Sequence, residues 1–277
     1  MRQTLAALYL AIATLLSGNA LAEPSSACTG QPLRKALVTA FPLRHPEQIR
    51  PGEFMGWAQL TGATLARRLS GNGRLRIAAA PDSFPFADAE MAPALERDAA
   101  GTPSIVGWAA RTGSQYVLAG LLRDFGTAKN EYLLPERQLV VEAFVFDGTD
   151  GRLLARREFA AQVLLDGALP RNIAPGTRAF DDSRLGRAYH GLLAEIGGWA
   201  EASIACLPFP LRVTRVEERR IHLDTGRDSG LAVGTALSAG NVIEVGAAGS
   251  VVEIPLQRNP PRLKVGDVLY LPREGKP

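Results

Sequence analysis

The side chains with the widest chemical range in this 277-residue sequence are three histidines, two cysteines and a scatter of loop aspartates. His45, His190 and His222 stand far apart, and no His-x-x-x-His or Cys-x-x-Cys pair occurs, so the spacing that would hold zinc is missing. His190 borders the apolar side of an amphipathic segment, where a lone imidazole packs or faces solvent rather than ligating. Gly71-Asn72-Gly73 resembles part of a dinucleotide turn but lacks the third glycine and follows a helical pattern, which predicts a helix-to-strand turn. There is no phosphate loop, and Gly113-Ser114 is not part of a Gly-x-Ser-x-Gly elbow. Asp82, Asp88, Asp147, Asp150, Asp166, Asp181 and Asp182 occupy loops. A calcium loop needs oxygen ligands at alternate positions and a closing glutamate, which Asp147-Gly-Thr-Asp150 does not supply. Spacing alone leaves open a glycosidase drawing a paired acid and base from this set. The expectation is no catalytic, cofactor or metal site.

Cys28 and Cys206 belong with the question of compartment. Met1-Arg2, an apolar run from Leu5 to Leu16 and Ala20-Leu21-Ala22 have the layout of a secretory signal peptide over residues 1–22, with the mature chain starting near Glu23. The run is shorter than the roughly 20 apolar residues a bilayer span needs. Pro24-Ser-Ser-Ala27 lacks the leucine that usually precedes a lipoprotein cysteine by three residues. In an exported chain, two cysteines favour a Cys28–Cys206 disulfide over two separate buried thiols. Formal net charge is only +3, and the arginines are dispersed in short pairs such as Arg67-Arg68, Arg156-Arg157 and Arg219-Arg220. Nucleic-acid binders gather such charge on one face. With export added, nucleic acid is not an expected partner, whereas anionic lipopolysaccharide or peptidoglycan stays open.

The elements that must position these residues read as follows. Leu33–Phe41 predicts a buried strand ended by Pro42. Phe54–Leu69 predicts a helix with Phe54, Ala58, Leu65 and Leu69 inward and Gly71 as its C-terminal cap. Leu75–Ala79 predicts a strand, and residues 80–100 form a loop. Thr102-Pro103 starts a helix running to Thr112, stopped by Gly113, and Tyr116–Leu122 is a buried strand. Leu139–Phe146 and Leu153–Leu165 alternate on either side of Asp147-Gly-Thr-Asp-Gly151, which predicts a hairpin. In the second arm Leu153, Ala155, Phe159, Ala161, Val163 and Leu165 share one face, with Arg157 the exception. Asp181-Asp182-Ser183 offers caps for a long helix whose inward stripe is Leu185, Tyr189, Leu192, Ile196, Trp199 and Ser203.

Pro208 and Pro210 mark a boundary between an α/β (α+β) domain at 31–206, with a mixed sheet and covering helices, and a second domain at 211–277. The latter holds only short strands: Leu211–Val216, Ile221–Leu223, Thr235–Leu237, Val242–Val245, Ser250–Ile254 and Val268–Leu271. That pattern predicts a small SH3-like all-β barrel. Gly226, Gly230, Gly234 and Gly266 are expected at turns of positive φ.

The segments Lys35-Ala-Leu-Val-Thr-Ala-Phe-Pro42, Gly113-Ser-Gln-Tyr-Val-Leu-Ala-Gly120 and Glu142-Ala-Phe-Val-Phe-Asp-Gly-Thr-Asp-Gly-Arg-Leu-Leu154, followed by Arg156-Arg-Glu-Phe159, carry a family resemblance. The first domain resembles the middle domain of flagellar assembly protein T, itself similar to the N-terminal domain of the Tol translocation protein B. Asp228-Ser-Gly-Leu-Ala-Val-Gly234 and Val265-Gly-Asp-Val268 make the second domain similar to that family's C-terminal barrel. The resemblance covers about 240 residues from Gln31 and implies a member without the small N-terminal domain that others often carry. It implies a non-catalytic periplasmic part of the flagellar basal body near the outer-membrane rings. Self-association in a ring, with contacts from the 80–100 loop and the barrel turns, goes with that role, and no small-molecule substrate or cofactor is implied. The competing readings are a Tol-type adaptor binding an outer-membrane lipoprotein or peptidoglycan, and an envelope hydrolase.

Overall fold

Strand β1 (Arg34–Val38) is the inner strand of the first sheet, with Ala36, Leu37 and Val38 fully buried. It is flanked by β2 (Leu75–Ala78) and β3 (Tyr116–Asp124), both parallel to it, with Ala36 opposite Ile77 on one side and Tyr116 on the other. Parallel neighbours need crossovers. Helices α1 (Trp57–Gly71) and α2 (Ser104–Thr112) supply them. The computed structural model describes residues 33–49, 54, 56–78, 104–129, 132, 135–164, 175–205, 207–255 and 262–271. The expected leader at 1–22, Cys28, the 80–100 loop, Thr102-Pro103, Leu165 and Cys206 lie outside the described residues.

The sheet then turns antiparallel. β3 pairs with β5 (Pro135–Asp147), and β5 pairs with β6 (Leu153–Leu164) along nearly its whole length. A further strand, β4 (Thr127–Lys129), continues the β3 side along the far end of β5. The result is a mixed six-stranded sheet. One face, with Ala36, Val38, Leu118, Val141, Val145 and Phe159, packs under α1 and the long helix α4 (Arg184–Ala205). The other, with Leu37, Val117, Ala119, Phe144 and Phe146, packs under Ile105 and Ala109 of α2. Helices on both faces explain a departure from the expected alternation. Residues 141–147 of β5 are buried without a break, as in a strand covered on both sides. In β6 only Phe159 and Val163 are buried, Ala155 and Ala161 are half-buried, and Leu153 is exposed.

Helix boundaries also shift. α1 begins at Trp57, and Phe54 precedes it, set edge-on to Trp57 with ring centroids 5.8 Å apart. The buried positions are Trp57, Thr61, Gly62, Leu65 and Leu69, so the inward stripe is rotated from the expected one and passes Ala58 to its side. Gly71 is the last helical residue rather than the cap, and the left-handed turn falls on Gly73 at φ 66°. Ahead of α4 stands the short helix α3 (Arg178–Asp181), so Asp181 and Asp182 close one helix while Ser183 caps the next, its Oγ accepting from Gly186 N at 2.9 Å. α4 packs against both β6 and α1. It therefore buries a wider stripe than expected, adding Gly186, Leu193, Gly197, Ala200 and Ile204, while Trp199 and Ser203 are only half-buried.

The second sheet is antiparallel throughout, a nearly closed small barrel. Its strands are β7 (Pro210–Glu217), β8 (Arg220–Leu223), β9 (Ala236–Leu237), β10 (Gly240–Val245), β11 (Ser250–Glu253) and β12 (Val268–Tyr270), in the order β12-β7-β8-β11-β10-β9. They enclose a separate core that includes Leu211, Val213, Ile221, Leu223, Val242, Val252 and Leu269. Gly230, Gly234 and Gly266 have φ of 82°, 89° and 95°, as turns of that type require. Gly226 is instead extended, at φ −133°. It is glycine for space: a Cβ there would lie 2.5 Å from Gly246 O and 2.6 Å from Gly249 N.

Candidate interaction surface

The mixed sheet and the barrel belong to one compact unit, joined by a cluster of polar side chains. Three residues from the parallel strand ends reach the main chain that leads into the barrel. Arg34 donates to Leu207 O from Nε at 3.0 Å and from Nη2 at 2.6 Å. The Tyr116 hydroxyl donates to Pro208 O. Gln115 Nε2 donates to Pro210 O at 3.1 Å while its Oε1 accepts from Lys35 N at 2.9 Å. From the barrel side, Arg212 Nη2 donates to Gly148 O in the β5–β6 turn at 3.1 Å, and Arg212 N donates to Asp224 Oδ1 at 3.0 Å. Thr225 Oγ1 also donates to Asp224 Oδ1, at 2.9 Å.

Burial sets the electrostatics of this joint. It pulls the Arg34 guanidinium below its ordinary pKa, opposed by the nearby Tyr116. It pushes the Tyr116 phenol well above the usual range, with the Asp147 carboxylate adding to the effect. Burial likewise raises the Asp224 carboxyl, against the hydrogen bonds from Thr225 and Arg212 N. The Arg34, Gln115 and Tyr116 donors are committed to main-chain carbonyls, which is the chemistry of a clamp.

A second charged group lies on the sheet face that carries α2. Glu142 of β5 stands opposite Glu158 of β6 and Leu121 of β3, and Arg156 stands opposite Phe144. Arg123 Nη1 reaches Glu158 Oε2 at 3.0 Å and Glu142 Oε2 at 3.8 Å, and Arg156 Nε pairs with Glu142 Oε1. The Glu142 side chain is only 7% exposed, so two arginines neutralise a buried carboxylate and fasten three strands together. Networks of this kind hold better than isolated surface pairs.

The residues singled out in the sequence do not converge. His45 Nδ1 lies 3.0 Å from Glu47, His190 Nε2 lies 2.8 Å from Asp181, and His222 Nε2 lies 3.4 Å from Glu217, each a local pair. Asp147 Oδ1 accepts from Thr149 N at 2.8 Å and Asp150 Oδ1 from Arg152 N at 2.8 Å, while Gly151 takes φ 76°, so the aspartates build the hairpin turn. Among the described residues no three His, Cys, Asp or Glu side chains group as metal ligands, and no helix is long and apolar enough to cross a membrane. The barrel turns do expose apolar side chains: Val233 is 65% and Val265 68% exposed. Neither the joint nor the charged ladder was anticipated, because their members look like ordinary strand residues when taken one at a time.

Residues 26–166 match the family described as flagellar assembly protein T, middle domain. No curated protein matches the chain. Among solved structures, a hypothetical protein from Chlamydia trachomatis is similar, with TM-score 0.49 and 18% identity over 63% of this chain and 98% of that one. A PelC dodecamer subunit from Paraburkholderia phytofirmans matches with TM-score 0.38 and 15% identity over 63% and 95% of the two chains. The LpoB C-terminal domain from Salmonella enterica matches with TM-score 0.29 and 18% identity over 47% and 84%.

Proposed function

The chain belongs to the flagellar assembly protein T family, and from that premise we propose that it is a non-catalytic structural or assembly component of the flagellar basal body. It acts in the periplasm, in the region of the outer-membrane rings, and reaches that compartment through the leader at residues 1–22. The observation that carries this reading is the family match over 26–166, which takes in every strand of the mixed sheet. The clamp between sheet and barrel supports it from the physical side. A component that holds a ring must present its surfaces at a fixed angle, and hydrogen bonds from Arg34, Gln115 and Tyr116 to the connecting carbonyls restrict that angle. The exposed Val233 and Val265 offer apolar contact on the barrel turns.

Deletion of the gene tests the proposal. The expected result is loss of motility together with basal bodies whose outer rings are thinned or missing when imaged by electron microscopy. Normal swimming with intact rings would reject it. Co-purification of the chain with an outer-membrane lipoprotein or with peptidoglycan, in cells that still swim, would mark a Tol-type adaptor instead.

A further inference from the structure

Among the described residues β2, β4 and β6 of the mixed sheet each pair with one strand only, and β6 is much the longest of the three. β2 is four residues long, and the barrel holds its exposed Arg76: Nη2 lies 3.3 Å from Asp228 Oδ2, and Nη1 bonds to Asp228 O. β6 is twelve residues long and pairs only with β5 among the described residues. Along it Arg156, Arg157, Glu158, Ala160, Gln162 and Leu164 are exposed. A row of backbone N–H and C=O groups of that length, unpaired on its outer side among the described residues, is a template for another strand.

The charges at the middle of β6 decide which strand fits. Residues directly opposite in an antiparallel pair share a face, and opposite charges there attract while like charges repel. Arg156 and Glu158 share the face of the charged ladder, since they oppose Phe144 and Glu142 of β5, and Arg157, opposite Ala143, belongs to the other face. Laying β6 antiparallel against β6 of a second copy, about a two-fold axis through Arg157, sets Arg156 opposite Glu158 twice. The same register sets Ala155 opposite Phe159 on the face that packs under α4. Moving the axis to Glu158 puts that carboxylate against itself and Arg156 against Ala160. Moving it to Arg156 sets that arginine against itself and Glu158 against Leu154. One register alone is complementary. Its cost is a meeting of the two Arg157 side chains, which are exposed and lean away over Phe159, with the guanidinium carbon 5.1 Å from the ring centroid.

We propose that the chain forms a two-fold dimer by pairing β6 with β6 of a second copy in this register, which makes one continuous sheet across the dimer. The contact is isologous, so it closes at two copies. The proposal rests on the sheet edge and not on the flagellar role. A monomer in solution would leave the motility result standing, and a dimer would stand if deletion left motility intact.

Sedimentation equilibrium of the full chain at micromolar concentration is expected to give twice the chain mass. Arg156→Glu and Glu158→Arg each set like charges opposite one another twice, and each is expected to weaken dimerisation by about tenfold or more. The double exchange restores opposite signs and is expected to recover the dimer. Because both residues also belong to the ladder with Arg123 and Glu142, a second pair of variants avoids it. At the axis, Arg157→Cys sets two cysteines about 4.5–5.5 Å apart between Cα atoms, within disulfide reach. In the same register Gln162→Cys leaves its two copies ~33 Å apart. Oxidation is expected to cross-link the first variant and not the second, measured against the parent chain. A monomer at all concentrations, single variants no weaker than the double exchange, or equal cross-linking at both positions would overturn the proposal.

Discussion

The phenol of Tyr116, in the third strand of the mixed sheet, donates its proton to the carbonyl of Pro208, 92 residues later where the chain enters the barrel. Its neighbour Gln115 spans the same gap, with one end on Lys35 N and the other on Pro210 O. The two side chains differ in what their removal leaves behind. Pro208 is exposed, so water replaces the hydroxyl when Tyr116 becomes Phe, and the expected loss is about 1 kcal/mol. Gln115→Leu strips partners from a donor and an acceptor around a buried side chain, and the expected loss is about 2–3 kcal/mol. Urea unfolding should rank Gln115→Leu below Tyr116→Phe. The reverse order, or two unchanged midpoints, would show that the joint does not contribute to stability.

Gly62 and Gly71 make a paired prediction about one helix. Both sit in α1, where alanine is intrinsically the better residue by about 1 kcal/mol at interior positions. At Gly62 a Cβ would overlap the carbonyl oxygen of Thr39, where the chain leaves β1. The backbone has to move, at a cost of about 1–3 kcal/mol or more that exceeds the propensity gain. At Gly71 nothing lies within 4 Å. Gly62→Ala is therefore expected to lower the urea midpoint and Gly71→Ala to leave it unchanged or raise it slightly. A rise for both would mean that the helix is not pressed against the strand.

These contrasts bear on what a sequence reveals. The hairpin at Asp147–Gly151 was legible because its signal is local: aspartate side chains bonding two residues ahead and a glycine at positive φ. The short barrel strands and the α4 stripe were legible for the same reason, each needing only its own period. β4 was not, since Thr127–Lys129 is three residues long and is a strand only because β5 extends past the end of β3 to receive it. The departure of β5 from alternation depended on knowing that α2 covers the second face. The joint lay further out of reach, because Arg34 meets Leu207 at a separation of 173 residues. Buried strand ends and a proline-rich connection were visible separately, and only the folded chain brings them together.

The pairing of Cys28 with Cys206 is a proposal that follows from export and from the cysteine count, and it is open to a direct chemical test. Alkylation of the denatured chain before and after reduction, read by mass spectrometry, is expected to find no free thiol before and two after. Replacing either cysteine with serine is expected to cost about 2–5 kcal/mol, because the closed loop would span most of the chain. Two thiols reactive without reductant would reject the bridge and leave the separate-thiol reading.

Asp224 gives the joint a pH dependence whose sign is determined. Burial lifts its pKa above the ordinary carboxyl value of about 3.9, and the hydrogen bonds from Thr225 and Arg212 N, with the Arg212 charge, only partly offset the rise. The folded chain therefore binds this proton more tightly than the unfolded chain does. Below the unfolded pKa both states are protonated and the group has no effect on stability. As pH climbs from the unfolded value through the raised folded one, the folded state must carry a buried charge and loses stability. Asp224→Asn keeps an Oδ1 to accept from Arg212 N and Thr225 and removes the charge. Urea midpoints taken at intervals from pH 3.5 to 7.5 are expected to show wild type and variant close together at the acid end, with the variant pulling ahead toward neutrality. A gap that stays flat, or that narrows as pH rises, would mean that Asp224 is better solvated, or better paired with Arg212, than its buried position implies.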